Sequence, residues 1–447
     1  MNRRAFLAGA TATLLARGEE SADAQQKAIL ARIRPPKFPN RDFDITKFGS
    51  NASEAIRKAI DACAQAGGGR VVVPPGEYLT GPIHLKSRVE LHLAEGAVLR
   101  FSRDPKDYPN VFTRWEGMEC MNFSPLIYAF EQSDIAITGK GTLDGQSDRE
   151  HWWAWKGNAK WKTAGFPTQD KDRETLFAMA EKNVPVSERV FGLGHYLRPQ
   201  FLQPYRSNNI LIEDITIRNS PMWEIHPVLC RNVTVRNVKI DSHGPNNDGC
   251  DPESCTGVLV EGCTFDTGDD CIAIKSGRNA DGRRVAAPCE NLIIRNCIMK
   301  DGHGGVAVGS EISGGVRNVF ISDCKMSSPN LERALRIKTN AQRGGVMENI
   351  WFQNVTIGEV ATDAIQIDFY YEEADKGPFK PVVRNINISD VTCQKSNDAL
   401  SLRGFASSPI RDVHVARCTF NNAARANVIE HVEGLELKDV TINGKKV

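Results

Sequence analysis

From residue 209 onward the chain repeats one short pattern of apolar and polar positions. Asn209-Ile210-Leu211-Ile212, Asn232-Val233-Thr234-Val235, Gly257-Val258-Leu259-Val260 and Asn291-Leu292-Ile293-Ile294 each open on Asn or Gly, run through a β-rich stretch and end in a turn. The same unit recurs at Asn318, Asn349, Asn385 and Asp412, at intervals of about 22 to 36 residues. Units this short leave no room for a helical crossover, so they predict successive coils of one solenoid. The fold class is therefore all-β, a parallel β-helix. Propeller blades are the alternative, but their units are longer and more even.

The earlier half fits the same scheme. Asp44-Ile45-Thr46-Lys47-Phe48-Gly49 reads as a first strand, and Val71-Val72-Val73, Val89 to Leu93 and Ile135 to Gly141 as further ones. Between them, residues 53–66 carry Ala55, Ile56, Ile60 and Cys63 at helical spacing, with Gly67-Gly68-Gly69 as a stop. This predicts one amphipathic helix capping the open end of the solenoid. Residues 146–204 break the repeat and hold Trp152, Trp153, Trp155 and Trp161. Those rings either face a substrate or fasten the insertion to the coil.

The chain of 447 residues thus divides into 1–24, 25–40 and 41–447. The first part has paired arginines, Arg3-Arg4, before a short apolar run, and Ala22-Asp23-Ala24 as a cleavage motif. It reads as a twin-arginine-like signal peptide of a bacterial protein that is periplasmic or secreted. The second is a Pro-containing linker, and the third is the β-helix. The apolar run is far short of a membrane span. A net charge of +1 gives no global field for nucleic acid or an anionic membrane, and neither is expected as a partner. Among the 12 cysteines, Cys263, Cys297, Cys324 and Cys418 follow strands and suit inward positions. Cys250 with Cys255, or Cys271 with Cys289, could pair. No spacing suggests a zinc site, and no metal or other cofactor is expected.

Chemistry concentrates between Asn246 and Lys338. Asn246-Asn247-Asp248, Gly268-Asp269-Asp270, Gly302-His303-Gly304 and Arg336-Ile337-Lys338 occur at the same phase of successive units. A solenoid stacks such positions on one face, with strands about 4.8 Å apart. Three carboxylates that close should raise the pKa of one, leaving a proton to donate. Asp turns are also common caps in such folds. A histidine between glycines suits an exposed turn. Arg336 and Lys338 point the same way and could either neutralise the acids or bind a sugar carboxylate. Lys275, Arg278, Arg283 and Arg284 add charge on a nearby loop, which could equally be a solvated face.

These four ordered motifs resemble glycoside hydrolase family 28, the polygalacturonases, over nearly the whole mature chain. The resemblance implies a right-handed coil and an inverting hydrolase of α-1,4-galacturonosyl linkages in pectin of the plant cell wall. It implies Asp269 as general acid and Asp248 and Asp270 as the groups that activate water. His303 would support the acid, Asn246 would position the site, and Arg336 and Lys338 would hold galacturonate carboxylates. Tyr371, with Tyr370 as competitor, matches a tyrosine usual in the family. Asn247 departs from the family's Thr or Pro, a change expected to matter little. Carboxylates this close depart from the general spacing of inverting enzymes, about 6.5–9.5 Å; the resemblance outweighs that rule. The insertion could wall off the groove and favour exo action by a monomer. Rhamnogalacturonan hydrolysis, a Ca²⁺-dependent lyase and a non-catalytic polysaccharide-binding β-helix are the alternatives.

Overall fold

The structure, a computed structural model, describes residues 22–447; the arginine pair and apolar run of the expected signal lie outside the described residues. The chain winds as a right-handed parallel β-helix. The repeated strands, from Asp42–Asp44 through Asn208–Glu213 to Val432–Lys438, form one sheet of 13 strands. A second sheet of 13 strands follows the next corner of each coil. The third face is a 3-stranded and a 6-stranded sheet, joined across a gap by single bridges such as Ile225↔Cys250 and Cys250↔Ile272. Pairing within all three faces is parallel, apart from the terminal hairpin of Thr441–Ile442 and Lys445–Lys446.

The Asn that opens each repeat has a structural reason. Asn291, Asn318, Asn349 and Asn385 all turn the corner with φ of 54–61°, a left-handed conformation that Asn tolerates. Their side chains then form a ladder: Asn318 Nδ2 donates to Asn291 Oδ1 at 3.0 Å, Asn349 to Asn318 at 3.1 Å and Asn385 to Asn349 at 2.6 Å. Gly257 holds the same corner at φ 74° without a side chain. Inside the coil, columns of Val, Ile, Leu and Cys make one continuous core.

The helix expected at the open end is Ala52–Gln65, with Asn51 as its cap and Ala55, Ile56, Ala59, Ile60 and Cys63 buried. The first strand lies earlier than expected. Asp42–Asp44 is extended, but Asp44 Oδ1 accepts from Thr46 N at 2.9 Å and starts a 3-10 turn over Ile45–Phe48. The stretch read as a linker is partly built into the fold. Residues 22–30 are helical, and Ala22, Ile29 and Ile33 lie on the outward side chains Leu259, Ile293, Phe320 and Trp351 of four successive coils. Arg34 is fastened to Asn232 by two hydrogen bonds.

All 12 cysteines are buried and free, which overturns the two suggested disulfide pairings. Cys63 lies in the capping helix and Cys120 in the hairpin, while most of the others sit in inward columns of the coil, where thiols donate to carbonyls of the neighbouring coil, as Cys255 does to Pro227 O and Cys289 to Pro252 O. Among the described residues no helix is long and apolar enough to cross a membrane.

Candidate active site

The four motifs meet at the corner that leads into the third face. Cys250, Ile272, Val306 and Leu335 are register partners in successive coils, so the residues just before or after them share one ledge. Asp248 and Asp270 each stand two residues before this column, and Arg336 one residue after it. Ala273 and Ala307, which separate Asp251 from Arg336 along the next column, leave that ledge open. Glycine is required beside the acids: a Cβ on Gly304 would stand 2.9 Å from Asp270 Oδ1, and one on Gly309 2.1 Å from Lys338 O.

Oxygens of Asp248, Asp269 and Asp270 lie within 4.8 Å of one another. His303 Nδ1 is 2.9 Å from Asp269 Oδ1. Asn246 Nδ2 donates to Asp269 Oδ2 at 3.4 Å and its Oδ1 accepts from Arg198 at 2.8 Å. Lys338 Nζ donates to Asp270 Oδ2 at 2.6 Å, and Arg336 to Oδ1 at 3.3 Å. Tyr371 lines the same cavity, its ring 5.4 Å from Lys338 Nζ. Tyr370 instead turns outward against Phe405 and Arg403. Every residue expected at the site is therefore brought together, and all but the fully buried Asp270 line a cavity of about 360 Å³.

The electrostatics divide the three acids. Burial works to raise the pKa of Asp269, but His303, Lys338 and Arg336 outweigh it and hold the carboxyl well below the usual range. Asp270 is likewise lowered, with Lys338 and Arg336 overcoming burial. Asp248 goes the other way: burial, then Asp251 and Asp269, raise it well above the ordinary value. His303 is pushed up to about 9, chiefly by Asp269. One of the three carboxylates is raised, as the sequence suggests, but it is Asp248, and burial is the main cause, with Asp251 and Asp269 adding to it. The proton nearest Asp269 sits on His303.

Asp251, Glu116, Glu311 and Glu372 are not singled out by the sequence, and Lys275 and Arg278 only as charges on a nearby loop. Asp251 is fully buried beside Asp248, and Lys275 Nζ reaches Asp248, Asp251 and Glu311 at 3.7, 3.5 and 3.4 Å. Arg278 is buried between Glu116, Glu311 and Glu372. Of the basic loop, these two face the site, whereas Arg283 and Arg284 bond to Gln342 O and to Asp281 and Glu119. Glu116 lies far from the motifs in sequence and Glu311 stands between two of them, and nothing local marks either. Asn247 also matters more than expected. Its buried amide accepts from Ser242 Oγ and Gly244 N and donates to Ser220 O and Met222 O, fixing the turn that presents Asn246 and Asp248.

The insertion settles both ways. Trp152 and Trp155 are buried against Tyr108, Phe123 and each other, which fastens it to the coil. Trp161, with Lys156, Asn158 and Lys160, lines one wall of the cavity. An antiparallel hairpin, Asn110–Trp115 with Met118–Phe123, supports that wall, and its Trp115 and Met118 share a small core with the insertion's Leu176, Ala180, Phe191 and Leu197.

The three acids have the spacing of a cation site, and so do His243, Asp266 and Asp301 on the surface. At the first, Lys275, Arg336, Lys338 and His303 already supply positive charge. The site therefore has the parts for acid–base hydrolysis without a metal: an acid coupled to a histidine, an ionised carboxylate, and cations.

Comparison with known proteins agrees with this chemistry. The family described as glycosyl hydrolases family 28 matches residues 193–443. A probable polygalacturonase of Vitis vinifera is 30% identical over 81% of this chain and 69% of its own. An exo-poly-alpha-D-galacturonosidase of Dickeya chrysanthemi is 27% identical over 86% and 67%. The crystal structure of a hyperthermoactive exopolygalacturonase from Thermotoga maritima superposes with a TM-score of 0.93 at 44% identity, covering 95% of this chain and 97% of that one.

Proposed function

Since the chain belongs to glycosyl hydrolase family 28 and is a glycoside hydrolase, we propose that it cleaves α-1,4-galacturonosyl linkages from the end of pectic chains, with inversion. The observation that carries this reading is one cavity lined by Asp248 and Asp269 beside Arg336, Lys338 and His303, with Asp270 buried directly behind its two cations. Two cations and three acids suit a substrate that is itself a carboxylate on every ring. The wall formed by the insertion, and relatives named as exo-acting, support attack at chain ends.

In this mechanism Asp269 is the general acid, although His303, Lys338 and Arg336 hold it ionised. A galacturonate carboxylate bound at Arg336 and Lys338 cancels part of the positive field that lowers Asp269. The bound sugar also excludes water, which strengthens the burial effect. The proton on His303 Nδ1, 2.9 Å away, then moves to Asp269 and on to the glycosidic oxygen. Asp248 and Asp270 cradle the attacking water, and Asp270, kept ionised by its cations, takes up its proton. Asn246 orients Asp269, and Tyr371 closes the cation side. The paired arginines near the start of the chain support export to the periplasm or beyond, where such polymers are met, and the enzyme acts as a monomer.

The test is hydrolysis of polygalacturonate in EDTA, followed by reducing ends, ultraviolet absorbance and proton NMR of the new anomeric centre. Reducing ends without absorbance, with inverted anomers, are expected. Asp269→Asn should lower kcat by about 10³-fold or more, in line with loss of a general acid and its charge. Absorbing, unsaturated products or a requirement for Ca²⁺ would make it a lyase.

A further inference from the structure

Charge is matched pair by pair through most of the cavity, and the imbalance lies on one wall. Glu116 is held by Arg173 and Arg278, Glu311 by Lys275 and Arg278, and Glu372 by Arg278 and Arg343. Asp269 has His303, and Asp270 has Arg336 and Lys338. Lys156 and Lys160 also face the cavity. Among the described residues neither ammonium has an ion-pair or hydrogen-bond partner; Lys160 Nζ only rests 5.2 Å from the Trp161 ring.

Lys156 is not a loose surface lysine. It ends the 3-10 turn Trp153–Lys156, after which Gly157 swings away at φ 79°. The turn is pinned on three sides. Trp152 and Trp155 meet edge to face at 4.9 Å, Trp153 Nε1 donates to Ser220 O at 2.8 Å, and Trp155 O accepts from Gln169 N at 2.7 Å. Trp161 packs edge-on against Trp153 at 5.3 Å and so ties Lys160 to the same unit. The half-buried ammonium of Lys156 is pulled down in pKa by burial, while Glu116 and Asp269 act in the opposite sense. A rigid, partly desolvated cation with no anion in direct contact is a cost to the protein that a bound anion removes. Asp269 feels this cation as well as Arg336 and Lys338, so the general acid stands under two separate cationic centres.

We propose that Lys156 and Lys160 bind the carboxylate of the non-reducing terminal uronate, across the scissile bond from the sugar held by Arg336 and Lys338. The pair thereby selects a chain that ends in a free uronic acid and sets the register for release of one residue. This deepens the galacturonan reading and rests on it.

The experiment compares wild type with Lys156→Met on trigalacturonate and on trigalacturonate methyl-esterified only at its non-reducing terminal sugar. Melting temperatures serve as the check on folding. The ester should raise the wild-type KM about tenfold or more, the scale of one lost charge-assisted contact, with kcat changed far less. Lys156→Met should show the same rise on the free acid and little further penalty from the ester, and Lys156→Arg should restore much of the difference. A Lys156→Met enzyme that matches wild type, or that still discriminates against the ester, overturns the inference while leaving the hydrolase intact. A wild type that hydrolyses no galacturonate oligomer takes down the activity and the inference together.

Discussion

At the scale of single residues, the site depends on which group holds the proton. His303 carries it below about 9, a rise from 6.5 caused mainly by Asp269. The charged ring is thus present through neutral pH and lost as pH climbs through that value. On the proposed mechanism kcat/KM should fall along this alkaline limb, and His303→Asn should remove the limb together with most of the rate; a pH–rate profile of both proteins checks it. Asn247 gives a second expectation. Removing its amide deletes four hydrogen bonds of a buried turn, at a cost of about 2–4 kcal/mol. Asn247→Ala should therefore lower the unfolding midpoint and weaken catalysis through displaced Asn246 and Asp248, as denaturation and kinetics would show. The acids, His303 and the Arg336–Lys338 pair were legible because each motif is short and falls at a fixed phase of the repeat. Asp251, Glu311 and Glu116 were not, because their importance comes from burial and from partners far away in the chain. The protonation pattern was equally hidden. Charge proximity in sequence cannot tell which of three acids faces the cations.

Among elements, the repeated corner is the unit that stabilises the coil. Asn318 combines a left-handed backbone, φ 57°, with one bond given to Asn291 and one received from Asn349. Asn318→Gly keeps the conformation and loses the ladder, about 1–2 kcal/mol; Asn318→Ala adds about 1 kcal/mol of backbone strain. The ranking wild type, Gly, Ala should appear in urea midpoints with activity unchanged at low denaturant. This corner explains why the sequence pattern was so readable. The opening Asn, Asp or Gly marks a conformation that few other residues adopt without strain, and the alternation behind it marks the face turned inward. The insertion lacked any such marker. Tryptophan serves equally to fasten a loop or to meet a sugar, and only packing against Tyr108 and Phe123 separates Trp152 and Trp155 from Trp161. The first strand lies earlier than the pattern predicts for a local reason, since Asp44 competes for the backbone and ends extension at the first residue of the predicted run.

For the whole molecule, one core runs through every coil and is capped at its start by the helix Ala52–Gln65. All 12 thiols lie within it or the smaller clusters beside it, unreactive by burial. An aromatic disulfide reagent should thus count none in the native protein and twelve after denaturation without reductant, whichever side of a membrane the protein was made on. Cysteine spacing alone could not have excluded disulfides, because inward columns bring thiols near one another just as a cross-linked scaffold would. Under the proposed attack at chain ends, the wall built from the insertion carries a consequence beyond the cavity it lines. An enzyme that admits only termini sees a pectin solution as a population of tips, so its working concentration depends on the number of molecules and hardly at all on their mass. Long polymers are then a dilute meal, whose thickness in solution persists while single sugars accumulate. Any partner activity that snips the interior multiplies tips and feeds it, and the proper place for this protein in such a sequence is last.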